Sequence, residues 1–486
     1  MSGRMIIRNS ILMYGAELFS KFFQFAFIIL LTRYAGVGDY GKIAYALSLG
    51  WIILTVADFG INGFLLRDIS FRLNRSHEYL SKSLGTKILL GALTLMLVFL
   101  SAAGSGMPTD KMIVLLIISL SFITDTVSGT LRVALIAHNR MLEESFVKIT
   151  VGLSKLLLLL VAMLLDSGLF GLTSIYALSS IIILAVSVAI VKRKVCPVSA
   201  SIDVGFARKM MSRSSVLLIA ALSSAVMLNL DVLLLSWLRG DIETGLYSAP
   251  SRLIMNGLFI SEIAVSSVYP FLVAFYRKSR KDFLMLSGLM SKTIMVLFMP
   301  VLLVSLVFHE RIVRFIFGTE FVGASYTLGI VSFSLFIHFY IVYYGHLYII
   351  QRKAHIFAII NVFALIMQLM LGFWLVSWYG ALGAGISFIA SYLLFALLCH
   401  AFLRSWAKMR LSGLMARSLS CVIILLPMLY YMRSLHLVLI ALILVPAYAL
   451  LVFGLRIISI SEIAMMLDNL NLTKISGFTR RLHGLL

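Results

Sequence analysis

Between His355 and Leu403 the chain reads HIFAIINVFALIMQLMLGFWLVSWYGALGAGISFIASYLLFALLCHAFL, without one Asp, Glu, Lys or Arg. A bilayer's hydrocarbon core is ~30 Å thick and takes about 20 helical residues to cross. The stretch holds two such runs, about 355–377 and 381–403, with Trp378 at their join, where an amphipathic ring suits the lipid–water interface. The surroundings are similar. Of 486 residues, 61% are apolar and 13% charged, and mean hydropathy is +1.04. Soluble domains run near ~45–50% and ~25%. So much apolar surface needs lipid as solvent, and the expected fold is an all-α polytopic membrane protein. Fourteen transmembrane helices are readable, at about 9–32, 43–66, 83–103, 112–137, 144–165, 169–191, 215–237, 246–275, 284–306, 326–350, 355–377, 381–403, 414–432 and 437–455.

The net charge of +21 would point to nucleic acid in a soluble protein. Here the cations sit in short clusters between apolar runs. With the N-terminus inside, the segments joining even spans to odd spans carry most of the 41 Lys and Arg. That asymmetry places both termini on the cytoplasmic side of the cell membrane and removes the need for a nucleic-acid partner. The first run is longer than a signal peptide's apolar core of ~7–15 residues and contains Glu17 and Lys21, so it reads as an uncleaved span. Three cysteines, Cys196, Cys399 and Cys421, form neither a disulfide framework nor a metal-spaced cluster. The short connections leave no room for a folded soluble domain.

Two echoes suggest an internal repeat. Gly38-Asp-Tyr40 after the first span resembles Gly245-Leu-Tyr247 after the seventh, and Gly168-Leu-Phe-Gly171 resembles Gly380-Ala-Leu-Gly383. The expected organisation is two pseudo-symmetric six-helix lobes, 1–191 and 214–410, joined by a basic cytoplasmic linker, 192–213. Two accessory helices and a cytoplasmic tail follow in 411–486. Halves with six spans each keep the same orientation, as parallel repeats require, and can enclose a site near the midplane.

Ionisable residues at membrane depth cost roughly 2.5–3.5 kcal/mol each on the insertion scale, so they need a hydrated interior or a partner. The candidates are Glu17, Lys21, Asp58, Asp125, Arg132, Lys148, Lys155, Asp231, Arg252, Glu262 and Lys292. Glu17 and Lys21 are spaced to neutralise one another, and Asp125 and Arg132 share a helix face. Lys87, Lys148 and Arg132 lie near cytoplasmic ends, where long side chains snorkel. Lys155, Arg252 and Lys292 lie deeper. Asp58, Asp125, Asp231 and Glu262 fit two roles, structural partners of these cations or carboxylates that carry protons or sodium, and the sequence leaves both open. His338 and His346 lie on a Tyr-rich face (Tyr340, Tyr343, Tyr344) that reads as packing. Pro250, Pro270 and Pro300 should kink the eighth and ninth spans.

No phosphate-binding Gly-rich loop, nucleophile elbow, His-Glu-x-x-His or Cys-x-x-Cys is present, so the chain reads as a non-enzyme without metal or cofactor. The stretch Thr32-Arg33-Tyr34-Ala-Gly36-Val-Gly38-Asp-Tyr40-Gly41, then Ala57-Asp58-Phe59-Gly60-Ile-Asn62 and Arg67-Asp68-Ile69-Ser70, resembles the start of Wzx-like polysaccharide flippases. Their superfamily also holds multidrug extruders and the peptidoglycan lipid II flippase. The motif itself covers Asp58, Arg67 and Asp68. The resemblance implies a carrier of polyprenyl-pyrophosphate-linked oligosaccharide that works by alternating access in cell-surface polysaccharide biosynthesis. Its partners would be that lipid-linked oligosaccharide, membrane lipids, and a polymerase or other assembly protein. On this reading Lys21, Arg132, Lys155, Arg252 and Lys292 face the pyrophosphate. Gln24, Asn229, Asn256 and Gln368 contact sugar, and Asp58, Asp125, Asp231 and Glu262 are the ion-coupling candidates. The alternatives are a drug extruder, which would favour an acidic cavity, and a membrane enzyme such as a polymerase, which would need a long outer loop.

Overall fold

The computed structural model describes residues 3–403, 423–435, 437–455 and 457. Among them every regular element is helical: α1 (Gly3–Asp58), α2 (Ile61–Phe71), α3 (Ser76–Gly104), α4 (Thr109–Ala137), α5 (Met141–Leu164), α6 (Gly168–Lys194), α7 (Val204–Met227), α8 (Leu230–Leu238), α9 (Asp241–Met255), α10 (Phe259–Lys278), α11 (Arg280–Val307), α12 (His309–Phe317), α13 (Ser325–Ser332), α14 (Ser334–Ile350), α15 (Ala354–Phe402) and α16 (Leu437–Gly454), with three short 3-10 turns. Nine helices among the described residues are long and apolar enough to cross a membrane, or ten with the bent Val204–Met227 pair. The protein is a polytopic, all-helical membrane protein. Two of the nine are too long for one crossing. Gly15–Asp58 would extend about 66 Å and Ala354–Phe402 about 73 Å, each more than twice the hydrocarbon thickness. Both contain a glycine outside helical geometry, Gly36 at φ 69° and Gly380 at φ 55°. L-residues are strained there, so each glycine separates two spans, as the sequence suggested. The expected thirteenth span falls partly, and the tail from 458 wholly, outside the described residues.

Two spans divide differently from expectation. The seventh is broken at Leu228–Asn229, where Asn229 leaves helical geometry and its Nδ2 donates to the Ala225 carbonyl at 2.9 Å. The amide side chain thus satisfies a carbonyl that the break would leave bare. The eighth is interrupted at 256–258, ahead of α10, whereas Pro250 and Pro270 sit within continuous helix. The tight bonds Ile260 N–H to Gly257 O (3.2 Å) and Ser261 N–H to Leu258 O (3.0 Å) carry the chain across.

The chain forms two compact units. One comprises residues 1–256, 314–324 and 358–391, the other 257–313, 325–357 and 392–486. In the first, α1 packs on α4, α5 and α9, and α4 on α6. Leu65, Ile69, Leu80, Leu84, Leu131, Ala134, Leu135 and Val191 form an apolar cluster joining α2, α3, α4 and α6. Residues 195–203, the middle of the basic linker, are strapped to α3. Ser201 N–H donates to Ser81 O at 3.1 Å, and Ser81 Oγ to Ser201 Oγ at 2.9 Å. Gly85 admits the strap because a Cβ there would lie 2.1 Å from the Ser201 carbonyl. In the second unit, Met299, Leu303, Phe308, Leu425, Leu429, Ile440, Leu444 and Tyr448 form the core. The tyrosine face of α14 is packing, as expected: Tyr343 donates to Ser287 Oγ at 2.8 Å and Tyr348 to the Cys399 carbonyl at 2.9 Å.

Inside the first unit α1 and α9 cross reciprocally. A Cβ on Gly41 would lie 1.8 Å from Asp241 O, and a Cβ on Gly245 would lie 2.0 Å from Val37 O. Exchanging the helices maps each contact onto the other. The same exchange pairs Gly36 with Gly240, both at positive φ where a helix restarts, and Ser48 with Arg252. This exchange is three residues shorter in offset than the Gly38/Gly245 echo. Gly41→Val or Gly245→Val should cost at least about 1–3 kcal/mol, because backbone on the opposite helix would have to move; a lower unfolding temperature in detergent is the measurement. The strap gives a second expectation. The Phe206 N–H, with the Lys82 ammonium, holds the Asp203 carboxyl below the usual carboxylate range. Stabilisation by a depressed carboxyl is fully present above its unfolded value of about 3.9 and is lost as pH falls through the folded value. Asp203→Asn should thus raise hydrogen exchange across 195–203 at neutral pH, and the difference from the native chain should vanish below the folded value.

Candidate functional site

The Gly41/Gly245 crossing sets the stage, because helices in such close contact bring the side chains one or two turns further along within reach of each other. Arg252 of α9 donates through Nη2 to Ser48 Oγ at 2.9 Å and to the Ala44 carbonyl at 3.4 Å, both on α1. Its Nε is buried without a hydrogen-bond partner among the described residues, as are the hydroxyls of Tyr40 and Ser248. Tyr40 lies within electrostatic reach of Arg252. So does Tyr176 of α6, whose ring carries the Lys155 ammonium 5.2 Å from its centroid, a cation–π contact. Lys155 and Arg132 in turn both act on Asp125 of α4. Residues from α1, α4, α5, α6 and α9 thus converge, and Arg252 comes from the other sequence half.

Three other cations on the spans of this unit are paired with carboxylates. Arg132 grips Glu144 with two prongs, Nη2 to Oε1 at 2.6 Å and Nε to Oε2 at 3.0 Å, the geometry that makes Arg–carboxylate pairs strong. Lys148 reaches Glu17 at 2.9 Å, so the Glu17 carboxylate serves α5 where local pairing with Lys21 was expected. Lys87, expected to snorkel, is 0% exposed. Its ammonium is held by Asp58 and, at 2.7 Å, by Asn62 Oδ1. The reason is local. Phe59 and Gly60 both have positive φ and end α1, and this places Asp58 and Asn62 on either side of the break, facing α3. Neither Lys155 nor Arg252 has a carboxylate at salt-bridge distance among the described residues.

Other sequence candidates scatter more widely. Lys21 and Gln24 are half-buried on α1, where Gln24 donates to Ser20 Oγ at 3.3 Å. Asp231 is buried on α8, accepting from the Val232 N–H at 2.9 Å and from the Tyr247 hydroxyl. Asn256 ends α9. Gln368 is buried on α15 with both amide atoms unpartnered among the described residues. Lys292 and Glu262 belong to the second unit. Glu262 there approaches His338 Nε2 at 3.8 Å, and His338 stacks on Tyr392. Sequence reasoning missed Ser48, Tyr176, Glu144, Lys111 and Asp241. Hydroxyls carry no distinctive signal on apolar helices, and the last three are charges at span ends that resemble ordinary interfacial residues.

The family profile described as "Polysaccharide biosynthesis protein" matches residues 6–276. Over 416 residues, 83% of this chain and 85% of the other, the sequence is 22% identical to the probable low-salt glycan biosynthesis flippase Agl15 of Haloferax volcanii. The fold is similar to that of the lipid II flippase MurJ, inward closed conformation, with TM-score 0.76, 15% identity, and coverage of 95% of this chain and 99% of that one. It is also similar to an inward-facing multidrug resistance MATE family transporter of the MOP superfamily, with TM-score 0.64, 13% identity, and coverage of 84% and 99%. At these identities the structural likeness concerns the fold.

The Lys87 clamp predicts a specific asymmetry. Removing one member of a buried pair strands the other charge, at about 3–5 kcal/mol, whereas replacing both with apolar groups is nearly neutral. Lys87→Met should therefore lower the unfolding temperature sharply in detergent, and Lys87→Met with Asp58→Leu should recover most of the loss.

Proposed function

Because this chain belongs to the polysaccharide biosynthesis protein family, we propose that it is a flippase for a polyprenyl-pyrophosphate-linked oligosaccharide, moving it from the cytoplasmic to the outer leaflet of the cell membrane by alternating access. One observation carries the reading. Lys155 and Arg252, drawn from different sequence halves, meet around Tyr176 and Tyr40, and among the described residues neither is in salt-bridge contact with a carboxylate, whereas Lys87, Arg132 and Lys148 each are. A cation held away from bulk water without a counterion is costly, and an anionic ligand offsets that cost. A pyrophosphate fits, since it takes charge-assisted bonds from both residues and from the unpartnered tyrosine hydroxyl. The same charge disfavours a cationic drug. The similarity to the probable glycan biosynthesis flippase of Haloferax volcanii supports a glycan as cargo.

In this mechanism the polyprenyl tail stays in lipid while the head group follows the polar side chains. Arg132 contributes field, its guanidinium being committed to Glu144, and Lys21 and Lys292 serve as further cationic stations. Gln24, Asn229, Asn256 and Gln368 offer amides to sugar hydroxyls. With no nucleotide motif in the sequence, the drive is either the substrate gradient or an ion gradient. Asp125 and Asp231 are better placed to bind the ion than Asp58, which holds Lys87; Glu262, beside His338, is the remaining candidate. The basic linker and both termini lie on the cytoplasmic side, the two six-helix halves are the rocking lobes, and a polymerase outside receives the product.

Lys155→Glu and Arg252→Glu should each reduce surface polysaccharide about 10- to 100-fold, the worth of one charge-assisted bond of ~1.5–3 kcal/mol, while the protein still inserts and elutes as a single species in detergent. Normal export with both charges reversed would overturn the pyrophosphate role.

A further inference from the structure

Lys111 sits where helix physics alone would not put it. It lies in the first turn of α4, whose N-terminal partial positive charge disfavours a cation, and its side chain is only 9% exposed. What holds it comes from the other sequence half. Its ammonium donates to Ser236 Oγ of α8 at 2.6 Å and to the carboxylate of Asp241, the first residue of α9, and it rests 4.6 Å from the Tyr45 ring centroid. Asp241 is also the residue whose carbonyl presses on Gly41. The neighbouring Lys42 is occupied within its own half by Asp110 at 2.6 Å and Asp39 at 3.2 Å.

Along the α1/α9 crossing, therefore, two polar bolts join the halves. At the end marked by Gly36 and Gly240, Lys111 is bonded to Asp241 and Ser236. Two to three turns further along, Arg252 is bonded to Ser48 and the Ala44 carbonyl. Between them lies the close backbone contact of the two glycines. The bolts differ in kind. The Lys111 bolt is an ion pair complete in itself. The Arg252 bolt is made to neutral oxygens, which a phosphate outcompetes for the guanidinium.

We propose that Lys111 and Asp241 form the latch that closes the outer end of the Arg252 site, and that an anionic head group at Arg252 releases the inner bolt and leaves this ion pair as the remaining charged tie to α9, with Arg33 bonded separately to the Ile316 and Phe315 carbonyls. This rests on the flippase reading for its purpose. A bound anion that draws the guanidinium away from Ser48 and Ala44 favours the opened crossing by the difference in its affinity for the two states. The latch then sets the threshold, so that the end stays shut until the site is filled. The assignment gives Lys111 a positioning role without contact with the cargo.

The test reads opening directly and needs no cargo. In a full-length chain with Cys196, Cys399 and Cys421 replaced by serine, Ala44→Cys places one thiol in the closed crossing, where Ala44 is 0% exposed. A membrane-impermeant maleimide is applied to intact cells and, separately, to inside-out vesicles. With the latch intact, labelling from outside should be slow. Lys111→Ala or Asp241→Ala should raise the outside rate about tenfold or more, and the exchanged pair Lys111→Asp with Asp241→Lys should bring it back. Inorganic pyrophosphate should raise the rate in the single variants and not when Arg252→Gln is added. Unchanged outside labelling in both single variants, or an increase seen only from the cytoplasmic face, would overturn the proposal. Surface polysaccharide in the same cells separates the two ideas, because a latch that opens as described with export unaffected by Lys155→Glu and Arg252→Glu would leave the gate standing and remove the pyrophosphate role of the site.

Discussion

The contact of Gly41 with the backbone of α9, and of Gly245 with the backbone of α1, is the constraint on which the first unit depends. In lipid the hydrophobic effect gives helices little reason to associate, and close backbone approach through small residues supplies the packing that replaces it. Any side chain at either glycine would push the helices apart. Ser48 would then lose Arg252, and Asp241 would lose Lys111. One steric fact thereby fixes the distances of two polar contacts that lie on either side of it.

Around that crossing the unit sorts its cations by partner. Lys87, Arg132 and Lys148 are each matched by a carboxylate from another helix, which makes them joints between helices. Lys155 rests on an aromatic ring and Arg252 on a hydroxyl and a carbonyl, arrangements that soften the cost of burial without cancelling the charge. The contrast separates structural from ligand-facing cations better than depth does. Arg132 and Lys155 both lie in apolar helices, yet only the first is spoken for.

The broken helices follow a related logic. At Phe59–Gly60 the break frees polar side chains to hold Lys87, and at Leu228–Asn229 the asparagine caps the carbonyl it exposes. The Ala-Asp-Phe-Gly-x-Asn motif, the most family-like stretch in the sequence, is in this structure the wrapping of a buried lysine. Its specificity reflects how few residues satisfy a positive φ, a carboxylate and an amide within six positions. The sequence pointed to Asp58 as an ion carrier or as a structural partner, and contact with α3 supports the second.

Composition and run length were enough to establish a polytopic helical membrane protein, because burying or exposing apolar surface is a property of each segment on its own. The glycine turns at Gly36 and Gly380 and the packing role of the tyrosine face were legible for the same reason, being local. The Gly38/Gly245 echo lies three residues away from the contact that forms, since Gly38 and Tyr40 look like Gly245 and Tyr247 as letters whereas Gly41 and Gly245 meet as surfaces. Which cation meets which acid was decided by the tertiary structure alone. Glu17 takes Lys148, Asp58 takes Lys87, and Lys111 crosses to Asp241, over separations that no helical periodicity encodes. Charge is written in the sequence, but its neutralisation depends on distances of a few ångströms between helices, and those exist only once the helices have packed.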